Sequence, residues 1–295
     1  MSDELGRNFL QAIERMVAEV RFKPLVFFVA GRTGWGKSST INSLVNHYVC
    51  TVNDDEPQTV DVTPYEFEMN GVKAIIFDSP GLCDGSGNDE TYIELIRSKV
   101  KAPDSMLYVT RLDETRPEND RQVIKIISSA LGNRVWEYAV IVFTFANNVK
   151  PLKYQTKLNE RKRIIRQLIA ESISNAEVAS QIPVVAIDNE SDTTPDGKKW
   201  LGEFFTAVVD RVSKEGTIAL LSMLTDSIRK RTMLDKKQKA LIRKKFVEAV
   251  LQSTGTAMGI GVAVAGLLNT PLIIGFSGAG IVGTLIGAWL SKSDE

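Results

Sequence analysis

Gly31, Gly36, Lys37 and Ser38 stand in the spacing G-x-x-x-x-G-K-[ST], within "GRTGWGKSST". Each residue type has a task in holding phosphate. The glycines let the backbone wrap an anion and turn its N–H groups inward. Lys37 brings a point charge to the outer phosphates, and the Ser38 hydroxyl is a magnesium ligand. The helix that must follow adds the positive end of its dipole. Arg32, Thr33, Gly34, Trp35 and Ser39 complete the loop and are read as nucleotide contacts. A nucleotide switch also needs an acid after a later strand, and "AIIFDSPG" supplies Asp78, followed by Ser79-Pro80-Gly81. Asp78 is the expected magnesium partner, and the Gly81 N–H the expected sensor of the terminal phosphate. A hydroxyl must join the metal from the segment between them. Thr59, 21 residues after Ser38, is the candidate, with Thr63 as fallback. Lys37 and Thr59 are thereby assigned to catalysis as well as to binding.

Six apolar runs can position these residues. "LVFFVA" leads into the phosphate loop and reads as a buried strand. "VDVTPYEFEMNGVKAIIFD" gives two strands joined at Asn70-Gly71, a hairpin signal. "SMLYVT", "YAVIVF" and "IPVVAID" are three more strands. Helical segments alternate with them, at about Lys37–His47, Asp89–Lys101, Glu118–Leu131, Leu158–Ser180 and Lys198–Ser213. The expected fold is α/β: a P-loop nucleotide-binding domain (G domain) with a mostly parallel six-stranded sheet flanked by helices.

Around this core the chain divides into an amphipathic helix at 1–22, the nucleotide-binding domain at 23–215, a basic helical connector at 216–253, an apolar segment at 254–290 and a polar tail at 291–295. The first rests on Leu5, Phe9, Ile13, Met16, Val17 and Val20 at helical spacing. The apolar segment carries no charge, and Pro271–Leu290 alone is 20 residues, enough to span a bilayer. Asn269-Thr270-Pro271 leaves two forms open, a single transmembrane helix or a helical hairpin. Gly275, Ala279, Gly283 and Gly287 recur every four residues, as do Gly255, Gly259 and Ala263, a pattern that suits close helix packing in lipid. Just upstream, Arg229–Lys245 holds nine Lys or Arg against one acid, Asp235, as expected beside anionic lipid.

Composition excludes several classes. Basic and acidic residues balance at 36 each, so no nucleic-acid partner is expected. Cys50 and Cys83 are too few for a disulfide framework and suit a reducing compartment. The single histidine, His47, makes neither a triad nor a metal site. The acidic N-terminus lacks the apolar core of a secretory signal.

With "GRTGWGKSSTINSL", "FDSPGLCDG", "DSMLYVTRLDETRPENDRQVI", "FTFANN" and "IPVVAIDNE" in place, residues 24–212 resemble the septin-like GTPases. Among these they are most similar to the Toc chloroplast import receptors and the avirulence-induced (AIG-type) GTPases. The resemblance implies a GTP/GDP switch with slow, magnesium-dependent hydrolysis and pairing of two G domains across their nucleotide faces. Arg116 matches the arginine that Toc-type dimers extend toward the partner's nucleotide. The base site departs from the usual Asn-Lys-x-Asp: it reads Thr144, Phe145, Ala146, Asn147. Phe145 is placed to stack on the base, and Asn147 offers one carbonyl where the aspartate offers a carboxylate. Asn189 matches the family's second asparagine. Nothing after Gly81 supplies a glutamine to orient water; Leu82, Cys83 and Asp84 follow. The resulting expectation is a membrane-anchored GTPase, its G domain facing the cytosol, that binds GTP/GDP, Mg2+, a second G domain and lipid. The Toc likeness points to the chloroplast outer envelope, although AIG-type relatives occupy other membranes. A non-catalytic GTP-bound recruitment or membrane-remodelling module and a P-loop ATPase are the alternatives.

Overall fold

Leu25–Ala30 (β1) is almost wholly buried, as an apolar run in the middle of a sheet must be. The computed structural model describes residues 19, 23–45, 61–69, 71–79, 82, 89–223 and 234–253. The expected N-terminal helix falls almost wholly outside these residues. His47, Cys50, Thr59, Gly81, Cys83, Asp84 and the whole 254–290 segment also lie outside them.

Six strands form one sheet in the order β2-β3-β1-β4-β5-β6. The others are β2 (Thr63–Met69), β3 (Val72–Asp78), β4 (Ser105–Arg111), β5 (Ala139–Thr144) and β6 (Val184–Ala186). β1 pairs with β4, β4 with β5 and β5 with β6, all parallel. The hairpin strand β2 lies at the outer edge and alternates between half-buried and exposed, as its mixed sequence TPYEFEM requires. β4 and β5, apolar on both faces, are buried along nearly their whole length.

The helices are α1 (Lys37–Val45), α2 (Asp89–Lys99), α3 (Pro117–Leu131), α4 (Pro151–Ile173), α5 (Ala176–Gln181), α6 (Trp200–Arg211), α7 (Lys214–Ser222) and α8 (Lys236–Ser253). Pro117 and Pro151 sit in the first turns of α3 and α4, where a missing N–H costs nothing. The single helix expected over Leu158–Ser180 is two. Ser174 adopts a left-handed backbone (φ 53) that ends α4, and the Asn175 side chain accepts from the Val178 N–H to start α5. Apolar faces of α2, α3 and α4 pack with Phe28, Tyr108, Trp136 and Phe143 into one core.

The chain resolves into two compact units: Val26–Glu66 with Ile75–Val212, and Met1–Leu25, Phe67–Ala74 and Ser213–Glu295. In the second, Ser213 caps α7 by accepting from the Gly216 N–H, and α7 is buried. α8 opens with a reciprocal capping box: the Asp235 N–H donates to Gln238 Oε1, and the Gln238 N–H to Asp235 Oδ1. It buries Ile242, Phe246 and Ala249 along one face and exposes Lys236, Lys237 and Lys244. The basic connector therefore contains two separate helices rather than one continuous stretch. Among the described residues, no helix is long and apolar enough to cross a membrane.

Candidate functional site

Parallel strands deliver their C-terminal ends to one sheet edge, and that edge gathers the residues singled out by sequence. β1 ends in the phosphate loop. The Ser79 N–H donates to Val29 O (2.9 Å) and the Leu82 N–H to Gly31 O (3.4 Å), so the end of β3 lies directly beside it. Gly31 is required by space: a Cβ there would stand 2.3 Å from the Val109 carbonyl oxygen of β4. Gly36 is required by conformation, with φ +81.

Lys37 is buried, and its Nζ donates to the Arg32 carbonyl (3.2 Å) across the loop. The Ser38 hydroxyl donates to Asp78 Oδ2 (2.9 Å), while Asp78 Oδ1 is buried with no hydrogen-bond partner. Burial pushes the Asp78 carboxyl up from its usual value, against the pull of the Lys37 charge and the Ser38 hydroxyl. An orphaned carboxylate oxygen beside a serine hydroxyl is an oxygen donor set suited to a hard divalent cation such as Mg2+. These residues fit the ion. Thr59 and Gly81 lie outside the described residues.

The loop is stitched to the last two strands. Thr144 is fully buried, and its hydroxyl donates to Trp35 O (2.8 Å). Asn189 Nδ2 donates to Gly36 O (3.5 Å), and Asn189 Oδ1 accepts from Ser43 of α1 (3.3 Å). Thr144 and Asn189 thus brace the phosphate loop from beneath. Trp35 is itself buried at 5% exposure, with the Arg32 guanidinium 6.0 Å from its ring centroid. It is not a lid over an open pocket. Thr33 is exposed, whereas Ser39 is half-buried and its carbonyl accepts from Ser43.

Phe145 follows β5 in a left-handed conformation (φ 54) and stays half-buried. Asn147 is exposed; its N–H donates to Asp188 Oδ2 (3.1 Å) and its Nδ2 to the Thr193 carbonyl (3.2 Å). Asp188 also accepts from the Glu190 N–H (3.0 Å), so it shapes both loops at this end of the site. Arg116 stands at the start of α3, 75% exposed, with Nε 3.4 Å from Glu114 Oε1. The Glu114 carboxylate also accepts from the Thr115 and Arg116 N–H groups and from Asn119 Nδ2.

The sequence reading missed a buried network beneath this edge. Asp120 Oδ2 pairs with Arg161 Nη2 (2.9 Å), and Asp120 Oδ1 accepts from Tyr108 and Thr110 (2.7 Å each). It ties α3, just after Arg116, to β4 and α4. A signal was present: Asp120 shares helical spacing with Val123, Ile124 and Ile127, and Arg161 with Ile165, Leu168 and Ile169. Opposite charges on the apolar faces of two successive helices call for each other.

The sequence matches the AIG1 family over residues 25–239. The chain belongs to the AIG1 family. Translocase of chloroplast 34 from Pisum sativum is 29% identical over 202 residues, 63% of this chain and 65% of that protein. Translocase of chloroplast 159 from Arabidopsis thaliana is 27% identical over 201 residues, 60% of this chain but 13% of that protein. The AIG1 chain thus spans less than two thirds of either relative. Among solved structures it is similar to Toc33 from Arabidopsis thaliana in complex with Mg2+ and GMPPNP, with TM-score 0.56 and 25% identity over 71% of this chain and 92% of that one. The complex of Toc33 with GDP and Mg2+ gives TM-score 0.55 and 26% identity over 69% and 94%. A dimerization-deficient Toc33 mutant with arginine replaced by alanine gives 0.57 and 26% over 68% and 91%. The AIG1 chain is a Toc/AIG-type GTPase in fold, a P-loop G domain on a mostly parallel six-stranded sheet.

Proposed function

We propose that this AIG1-family chain binds GTP and GDP with Mg2+, hydrolyses GTP slowly, and switches by pairing with a second G domain. The carrying observation is the Ser38 hydroxyl on Asp78 beside the orphaned Asp78 Oδ1, at the foot of a Lys37-bearing glycine loop. When bound, Mg2+ supplies a Lewis-acid charge that neutralises the phosphates. Ser38 and Asp78 are its holders from this chain, joined by Thr59. Lys37 exchanges its internal bond to Arg32 for the outer phosphates, and the backbone of 32–39 lines the rest. Gly81 senses the terminal phosphate.

Slow turnover follows from what stands after Gly81: Leu82 is apolar and fully buried, and no amide side chain takes the place of a water-positioning glutamine. Arg116, exposed at the start of α3, is the arginine offered to the partner's nucleotide. The Toc33 mutant that lacks an arginine and dimerises poorly supports this role, as does a Toc33 structure reported with the statement that dimerization is important for GTPase activity. Phe145 provides a stacking face and Asn147 an amide at the base, with Thr144 and Asn189 holding the loop against it. The 254–290 segment is the anchor, either one spanning helix or a hairpin, with the basic α8 at the lipid surface and the G domain in the cytosol. The chloroplast translocases support a plastid envelope as that membrane.

Phosphate release from GTP and from ATP, measured against protein concentration, tests the reading. GTP-selective release that rises with concentration in wild type, and becomes slow and concentration-independent in Arg116→Ala, is the expected result. Equal use of ATP would remove the guanine assignment; wild-type release that does not depend on concentration would remove the dimer switch. Deleting 254–295 should abolish co-sedimentation with membranes after carbonate washing, and persistence would remove the anchor.

A further inference from the structure

A phenylalanine in left-handed backbone is strained, and such strain persists only where the surroundings hold it. The main chain around Phe145 is fixed by the Asn148 N–H donating to Phe145 O (3.1 Å) and the Ala146 N–H donating to Ile187 O (3.2 Å). The side chain is held by Arg111, whose guanidinium lies over the ring, 4.1 Å from its centroid. That distance is well inside the range for cation–π attraction. Arg111 is itself clamped in the plane of its guanidinium: Nε donates to Asp113 Oδ1 and Nη2 to Asp113 Oδ2, both at 2.8 Å. A fork–fork pair satisfies the edge of the guanidinium and leaves its flat face for the ring. Asn148 Nδ2 donates to Asp113 Oδ2 (3.1 Å), and the Leu112 N–H to Thr144 O (3.0 Å). The circuit Phe145–Arg111–Asp113–Asn148 therefore closes on the loop it began from. Arg111 sits at the last position of β4, paired in register with Thr144 of β5, so both members start from rigid strands.

We propose that Arg111 is a positioning residue for the base. Clamped by Asp113, it holds the Phe145 ring as a ready-made platform on which a purine stacks. The inference rests on the nucleotide reading above and deepens it at the base end. Stacking on an aromatic ring is tolerant of base identity and adds nothing to phosphate binding. A platform residue must therefore affect every purine nucleotide by the same factor and leave phosphate alone untouched, which a residue of merely structural importance would not do.

Calorimetric titration of the full chain with GDP, ADP and inorganic pyrophosphate, each with Mg2+, separates the cases. The variants are Arg111→Gln, Arg111→Lys, Phe145→Ala and the Arg111→Gln/Phe145→Ala double. Arg111→Gln should weaken GDP and ADP alike, by about fivefold or more, with pyrophosphate unchanged. Phe145→Ala should lose more, the double variant should be no worse than Phe145→Ala, and Arg111→Lys should fall between wild type and Arg111→Gln. Unchanged GDP affinity in Arg111→Gln would overturn the proposal, as would an equal loss of pyrophosphate affinity or a further loss in the double variant. Should Arg111→Gln unfold, Asp113→Asn loosens the same clamp while keeping the cation, and must show the same pattern at smaller amplitude. Failure of wild type to bind GDP would instead remove the nucleotide reading itself.

Discussion

Replacing Arg161 by Met takes away one half of a fully buried ion pair and leaves the other half in place. Arg161 is 1% exposed and Asp120 0%. The guanidinium gives Nη2 to Asp120 Oδ2 (2.9 Å), Thr110 Oγ1 (3.1 Å) and the Arg111 carbonyl (3.4 Å). Breaking a buried pair from one side costs about 3–5 kcal/mol, because the remaining charge has no water to replace its partner. Asp120 keeps the Tyr108 and Thr110 hydroxyls on Oδ1, which puts the expectation at the lower end. For a unit of this size each kcal/mol lowers the melting temperature by about 2–4 °C, so Arg161→Met should melt roughly 6–12 °C below wild type. The exposed pairs of Arg121 with Glu118 and Glu171 serve as the contrast; Arg121→Ala should cost less than about 1 kcal/mol. Adding Asp120→Asn to Arg161→Met removes the stranded charge and should recover part of the loss. Circular dichroism melts of the four proteins decide it. An Arg161→Met shift as small as that of Arg121→Ala would show that the pair is not buried in solution, and the account of α3 and α4 would fail with it.

Gly31→Ala should destabilise by about 1–3 kcal/mol and weaken GDP binding, since the clash is with β4 backbone that cannot rotate away; calorimetry and a melt read both. Asp78→Asn should fold as wild type yet lose the gain in GDP affinity that Mg2+ gives, read as titrations with and without EDTA; an undiminished gain would remove Asp78 from the metal site. Thr144→Val deletes the hydroxyl that holds the Trp35 carbonyl and should weaken GDP and pyrophosphate together, by about tenfold if the lost bond is worth about 1–1.5 kcal/mol. Burial pushes the Glu114 carboxyl up, but donors from Arg116, Asn119 and Thr115 together hold it below the usual glutamate range. A lowered folded value means stability that is present above the unfolded value and lost as pH falls through the folded one. Wild type should therefore lose melting temperature more steeply than Glu114→Gln on acidification through and below the ordinary glutamate range.

What could be read from sequence was whatever local pattern dictates. Six apolar runs became six strands, and the phosphate loop and Asp78 came together because strand–loop–helix order leaves them one sheet edge. The break at Ser174 was missed because a left-handed serine has no strong sequence mark, and Asn175 reads as easily within a helix as at its start. Thr144 was read as a base contact, yet its hydroxyl is spent on the Trp35 carbonyl; the choice between ligand and scaffold depends on a partner 109 positions away. Arg111 was invisible for the same reason, because "TRLDETR" offers two arginines and does not say which one turns inward to Phe145.

The two stitches between the phosphate loop and the ends of β5 and β6 have a kinetic consequence. Phosphate and base are gripped by segments that share hydrogen bonds, Thr144 to Trp35 O and Asn189 to Gly36 O, so they loosen together. The outer ends of those segments, Asn147, Asn148 and Glu190, are exposed. An exchange factor need not enter the pocket or displace an ion: traction on these surface turns opens the cradle from outside, and nucleotide leaves in a single event.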